Sequence, residues 1–247
     1  MIMTKNEEQL NIMRHSGRIL SDVFKLVEDN IRAGITTKQL DTLCYEYIIK
    51  HNATPSFLNY NGYPATICAS IDEEVVHGIP SNRKLEDGQI VGIDIGVYYN
   101  GFHTDAARTY EIGKVSPLKH KLVEVTKESF YKGMEGLSAG SRLGDLGSRI
   151  QTYVESNGFS VVRALVGHGV GFELHEDPSI PNFGVEGRGM RLKAGMTIAV
   201  EPMVNMGVYD VVLMKDKWTV ITSDRKPSAH YENTLIILND GVELITI

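Results

Sequence analysis

Apolar residues recur at three- and four-residue spacing near the start of the chain. Leu10, Met13, Gly17, Leu20, Phe24, Val27 and Ile31 mark one face of a long amphipathic helix. Thr4 with Glu7 reads as its capping box, and the segment ends at RAG, residues 32–34. A second helix opens at Thr36, with Gln39 closing the box, and turns Leu40, Leu43, Cys44, Tyr47 and Ile48 inward. Further on the period drops to two. The stretch IVGIDIGVYYNGFHTDAAR, residues 90–108, reads as a hairpin turning at Asn100-Gly101, a pair suited to the positive φ angles of a type I′ turn.

The same plan then returns. Ser116 caps a helix with Pro117 at its first position, followed by Leu122, Val125 and Ser129. That helix runs to SAG, residues 138–140. A partner starts at Ser141, with Leu143, Leu146, Ile150 and Val154 inward and a stop at Asn157-Gly158. KLEDGQIVGID (84–94) aligns without a gap on RLKAGMTIAVE (191–201), and His103-x-Asp105 recurs as His230-x-Glu232. The second spacing is longer and includes the turn-like LMKDKWTV (213–220). Four matched features in the same order predict two helix–helix–sheet halves, roughly 1–112 and 113–247. They would be related by a pseudo-twofold around one shared sheet, giving an α+β chain with a single domain over 1–247.

Composition changes this picture little. The chain has 247 residues, 42% of them apolar and 23% charged, as in ordinary soluble globular proteins. A net charge of −6 leaves no basic footprint for nucleic acid. No apolar run reaches the roughly 18 residues of a membrane span, and MIMTKNEEQL lacks a signal peptide's apolar core. Cys44 and Cys68 are too few for a disulfide framework or a thiolate metal cluster. A cytoplasmic protein is expected.

The chemistry lies in the hairpin. With Tyr99 facing Phe102, Asp94 faces Ala107 and Asp105 faces Gly96. The two aspartates are then diagonal neighbours on one face, roughly 7–8 Å apart between α-carbons. Asp105 alone, near a loop, reads better as a surface-turn residue than as a functional one. Asp94, between Ile93 and Ile95, would be a costly unpaired carboxylate. The duplication places Glu201 and Glu232 in equivalent positions, and no cluster of Lys or Arg stands nearby to neutralise four acids. Two divalent cations would, so the spacing points to a dinuclear metal centre. Of eight histidines, His15, His51 and His120 sit in polar helical stretches and read as surface residues. His168 and His175 lie in VGHGVGFELHEDP, and His77 lies in EEVVHGIP; a capping or core role accounts for each as well as catalysis does. Phe172 breaks a G-x-G-x-x-G reading. His103 and His230 each precede an acid by two residues, share its face, and could support a ligand from behind.

Together Asp94, Asp105, His168, Glu201 and Glu232, with His77 in HGIP and His175 in LHE, resemble type I methionine aminopeptidases over nearly the whole chain. The resemblance implies the pita-bread (creatinase/aminopeptidase-like) fold and a metal-dependent hydrolase that removes N-terminal methionine when the second residue is small. It implies five ligands for two divalent ions: Asp94 on one, Asp105 and Glu232 bridging, His168 and Glu201 on the other. Four carboxylates and one imidazole suit Mn, Fe, Co or Zn. Glu201 would shuttle protons, His175 would polarise the scissile carbonyl, and His77 would contact the peptide beyond the cut. The methionine pocket maps onto Tyr60, Tyr63, Cys68 and Trp218, although a core role accounts for each of these side chains at least as well. Two positions depart from the family: Leu174, often Phe, and Phe57, which can be a small Cys.

The short stretch from His175 to Glu201 has no room for the type II helical insertion, and no zinc-binding extension precedes the first helix. The resemblance is thus to the minimal bacterial form, a monomer acting on nascent chains in transient proximity to the ribosome, with no membrane or specific nucleic-acid partner. The rival readings are an X-Pro aminopeptidase of the same fold, a non-catalytic peptide-binding member, and a salt-bridged acidic core without metal.

Overall fold

The computed structural model describes residues 2–247. The first half contains α1 (Glu7–Asn30), α2 (Thr37–Lys50), β1 (Thr54–Pro55), β2 (Ile67–Ile71), β3 (Glu74–Val76), β4 (Ile90–Tyr99) and β5 (Phe102–Glu111). The second opens with α3 (Pro117–Met134) and α4 (Leu143–Ser156), then β6 (Ser160–Val161), β7 (Gly167–Gly169), β8 (Glu176–Ile180), β9 (Thr197–Val200) and β10 (Met203–Asn205). It closes with β11 (Val211–Leu213), β12 (Val220–Thr222), β13 (Ser228–His230), β14 (Glu232–Ile237) and β15 (Val242–Leu244).

Two helix starts differ from the sequence reading. Asn6, not Thr4, caps α1, in a reciprocal box with Gln9. The cause is tertiary: Lys5 is drawn inward, its N–H donating to the Gly195 carbonyl at 2.8 Å, so the chain is extended there and Glu7 falls inside the helix. Helix α4 starts at Leu143 behind Arg142, because the Ser141 hydroxyl closes the preceding turn by accepting from the Ser138 N–H. The Asp145 carboxylate accepts from the Arg142 N–H instead. The caps at Thr36 and Ser116 and the stop at Asn157-Gly158 lie where the pattern put them.

One antiparallel sheet runs β1–β4–β5–β14–β9–β7–β8, with β2 also on β4 and β15 also on β14. The hairpin register is the one the turn dictates: Tyr99 pairs with Phe102, Asp94 with Ala107, and Gly96 with Asp105. Asn100 and Gly101 have φ of 46° and 91°. The halves meet where β5 pairs with β14. Matched contacts expose the duplication: Gly34 N–H donates to Leu85 O at 2.8 Å and Gly140 N–H to Leu192 O at 2.9 Å. Isolated bridges likewise join Thr36 to Lys84 and Arg142 to Arg191.

Alternation along the strands separates core from site. Val91, Ile93, Ile95 and Val97 pack with α1 and α2 residues such as Leu20, Phe24, Leu40 and Cys44, so Asp94 points to the opposite face. In the second half, Leu235, Ile237 and Ile198 pack with Leu122, Phe130, Leu146 and Ile150 of α3 and α4. The site is therefore carried on the sheet face away from the helices. Among the described residues no helix is long and apolar enough to cross a membrane.

Candidate metal centre and adjoining cavity

A single row across the sheet sets out the acids. Ala107 on β5 pairs with Asp94 on β4 and with Glu232 on β14. The β14–β9 register pairs Asn233 with Val200, and one step further puts Glu201 opposite Glu232. Asp105 lies two residues from Ala107 on the same face, its N–H donating to the Thr234 hydroxyl at 2.9 Å. His168 on β7 pairs with Ala199, two residues before Glu201. Ala107, fully buried, adds only a methyl group between the flanking carboxylates. Sequence reading named Ala107 only as a register partner; its small size between two acids was the signal available.

Burial makes this cluster electrostatically unstable by itself. It pushes Asp94 up to about 7, and raises Asp105, Glu201 and Glu232 well above the ordinary carboxylate range, with mutual repulsion adding to it. Asp94 Oδ1, Asp105 Oδ1 and Glu232 Oε1 are buried with no hydrogen-bond partner. Among the described residues no Lys or Arg forms an ion pair with any of the four; their nearest basic neighbours are imidazoles. Arg108 comes close, but donates to the Glu232 backbone carbonyl and to Asn233 Oδ1. The salt-bridged core is thereby disfavoured.

The donors fit divalent cations. Asp94, His230 and Glu232 form one group with a possible ligand atom from each within 4.8 Å of one another, and Asp105, His168 and Glu232 form another. His168 Nδ1 donates to the Gly169 carbonyl at 2.8 Å, which leaves the Nε2 lone pair facing Asp105 Oδ2 at 3.8 Å and Glu201 Oε1 at 3.5 Å. Burial holds this imidazole down to about 3, so it is neutral, as a metal ligand must be.

A cavity of about 270 Å³ opens beside the cluster. Asp94, Asp105, His168, Glu201 and Glu232 line one end, and Phe57, Tyr60, Tyr63, Cys68, Leu174 and Trp218 surround the rest. Phe57, Tyr63, Cys68 and Leu174 are buried together in an apolar cluster, with Tyr60 and Trp218 against it. The Tyr63 ring meets Trp218 edge-on at 5.1 Å, and its hydroxyl lies 3.0 Å from the Gly78 carbonyl, to which it donates. Both positions that depart from the family pattern, Phe57 and Leu174, thus belong to the cavity wall. Trp218 stands on the turn between β11 and β12, in a small sheet that also includes β3.

That sheet leads into His77, which has φ of 60°, a left-handed conformation disfavoured for a residue with a Cβ. Gly78 fixes it there: a Cβ at Gly78 would lie 2.3 Å from the Ala69 carbonyl oxygen. Burial, then the neighbouring His175, hold His77 down to about 4. His175 follows the buried Leu174; its Nδ1 lies 2.9 Å from the Tyr60 hydroxyl and its ring centroid 4.3 Å from that of His168. The predicted His77, His175 and acidic cluster therefore share one cavity. His103 does not join them, because Ser56 Oγ engages its Nδ1 at 2.9 Å and its ring lies on Tyr98. His15 and His120 are exposed, as expected.

Over residues 11–239 the sequence matches Metallopeptidase family M24. It is 52% identical to a methionine aminopeptidase of Clostridium perfringens across all of this chain and 99% of that one. The chain belongs to the methionine aminopeptidases of metallopeptidase family M24. A Bacillus subtilis relative, methionine aminopeptidase 1, is 49% identical over 100% of this chain and 99% of its own. The crystal structure of the Rickettsia prowazekii methionine aminopeptidase matches this M24 chain with a TM-score of 0.98 at 42% identity, covering 100% of both. Among the described residues, four α-helices around a curled antiparallel sheet are the pita-bread fold of the family. The X-Pro reading is not favoured at these identities.

Proposed function

We propose that this protein removes the N-terminal methionine from peptides and nascent chains whose second residue is small. The observation that carries the proposal is the cavity joining a cluster of unneutralised carboxylates to an apolar, aromatic wall. The enzyme is read as a cytoplasmic monomer meeting its substrates near the ribosome.

Asp94 would hold one ion, His168 and Glu201 another, and Asp105 and Glu232 would bridge them. Bound there, Mn, Fe, Co or Zn would supply charge to balance the carboxylates and a water of lowered pKa. The protein's own groups do the rest. Tyr63, Cys68, Phe57, Leu174 and Trp218 enclose the methionine side chain and exclude water from it. Glu201, at the edge of the acidic cluster, takes the proton of the attacking water and returns it to the departing amine. With the Tyr60 hydroxyl donating to His175 Nδ1, the proton of that imidazole sits on Nε2, the form able to donate to the carbonyl oxygen as it gains charge. His77, neutral above about pH 4, contacts the backbone beyond the cut.

The test is residue release from Met-Ala-Ser and Ala-Pro-Ala by chelator-stripped protein, with and without Mn²⁺ or Co²⁺. Metal-dependent release of methionine alone supports the site and the pocket. Cleavage of only the proline peptide overturns the specificity, and no turnover with any metal overturns the activity.

A further inference from the structure

The five donors carried over from the family do not include His230, yet its geometry matches that of His168. His168 Nε2 stands 3.5 Å from Glu201 Oε1 and 3.8 Å from Asp105 Oδ2. His230 Nε2 stands 3.7 Å from Glu201 Oε2 and 3.9 Å from Glu232 Oε2. Both of the His230 separations are too long for hydrogen bonds. They match the spacing of roughly 3–4 Å between two donors that each bind one ion at about 2.1 Å.

His230 Nε2 is also buried with no hydrogen-bond partner, so the atom lacks in the protein what a buried nitrogen requires. The residue is held firmly. Thr109 Oγ1 accepts from the His230 N–H at 2.9 Å and donates to its carbonyl at 2.9 Å, while β13 pairs His230 with Met203. Its counterpart in the first half, His103, is turned away onto Ser56. The second H-x-acid repeat alone therefore delivers an imidazole to the cluster, on the side of Asp94 and Glu232.

From this geometry, and resting on the metal-centre reading above, we infer that His230 is a sixth protein donor, binding through Nε2 the divalent ion held by Asp94 and Glu232. That side of the centre would otherwise be bound by carboxylate oxygen alone. An added imidazole moves its preference from oxygen-seeking cations such as Mg²⁺ and Mn²⁺ toward Co²⁺, Fe²⁺ and Zn²⁺.

The experiment uses the full chain, chelator-stripped, titrated with Mn²⁺ or Co²⁺ by calorimetry and examined by pulsed EPR on the Mn²⁺ form for ¹⁴N coupling to directly bound imidazole. In the unmodified protein two bound imidazoles are expected. His230→Gln should lose one, weaken the second equivalent of Co²⁺ about tenfold or more, and leave the first unchanged. His168→Gln should keep one coupling, from His230, which preserves the test if the first variant folds poorly. Equal Co²⁺ affinities in the unmodified protein and His230→Gln, with a single imidazole in the unmodified protein and none in His168→Gln, would place His230 outside the centre and leave the metal reading intact. Failure of the unmodified protein to bind either ion would remove both.

Discussion

Lys5 and Glu176 lie 171 positions apart in the chain and form an ion pair of 2.6 Å, with side chains 0% and 4% exposed. The pair pins the N-terminal segment to the loop that presents His175, the residue just before Glu176. The other Glu176 oxygen accepts from the Glu173 N–H at 3.1 Å, which closes that loop on itself. Burial lowers the Lys5 pKa, against the pull of the Glu176 carboxylate. Replacing Lys5 by Met leaves a buried, uncompensated carboxylate, and the expected loss is about 3–5 kcal/mol in urea unfolding. The double variant with Glu176→Gln should recover part of it. A single variant as stable as the parent would mean that the pair contributes nothing.

Asp105 and His175 should separate ion binding from turnover. Asp105→Asn removes a charge from the proposed bridging position and is expected to lower metal occupancy after dialysis, measured by elemental analysis. His175→Ala should retain the ions and lose about 10²–10³-fold in kcat, as for removal of one donor to an oxyanion. Equal metal loss in the two variants would contradict the assigned roles.

Removing divalent ions should destabilise the fold, since two buried carboxylates, Asp105 and Glu232, and two half-buried ones, Asp94 and Glu201, then face one another. At an ion concentration about 100 times Kd, binding adds about 2.7 kcal/mol, or roughly 5–10 °C in Tm for a chain of this size. Calorimetry with chelator and after re-addition of Mn²⁺ checks this. A melting temperature indifferent to both would argue that the cluster binds no ion.

His77 should stay neutral far below the usual imidazole range. Its folded pKa of about 4 lies below the unfolded value of 6.5. Protonation therefore favours the unfolded chain, and this group costs no stability above pH 6.5. The cost grows as pH falls and levels off near 4, at about 3 kcal/mol. The His77 ring C2–H shift in an NMR titration should show a midpoint near 4. A midpoint above 6 would refute the buried, neutral assignment.

Phe57 narrows the pocket and is expected to favour methionine by contact with its thioether. Its ring packs so close to the β4 backbone that a Cβ on Gly96 would lie 2.8 Å from it. Phe57→Ala should reduce kcat/KM for Met-Ala-Ser about tenfold, mostly through KM, for the loss of an aromatic–sulfur contact. An unchanged value would exclude Phe57 from substrate contact.

The sequence by itself determined the local and the periodic. Asn100-Gly101 set the hairpin and hence the shared face of Asp94 and Asp105, because turn chemistry fixes register and register fixes which way side chains point. The repeated Gly-strand-acid and His-x-acid patterns likewise located Glu201 and Glu232, because duplicated segments repeat their strand positions. Only tertiary structure decided the start of α1 at Asn6, since the pull on Lys5 comes from Glu176 and Gly195, far along the chain. It also decided that His230 turns inward while His103, in the same H-x-acid pattern, turns onto Ser56. The two histidines have the same local sequence relation to an acid, and what differs is what the rest of the fold packs around each ring, which spacing along a chain does not encode.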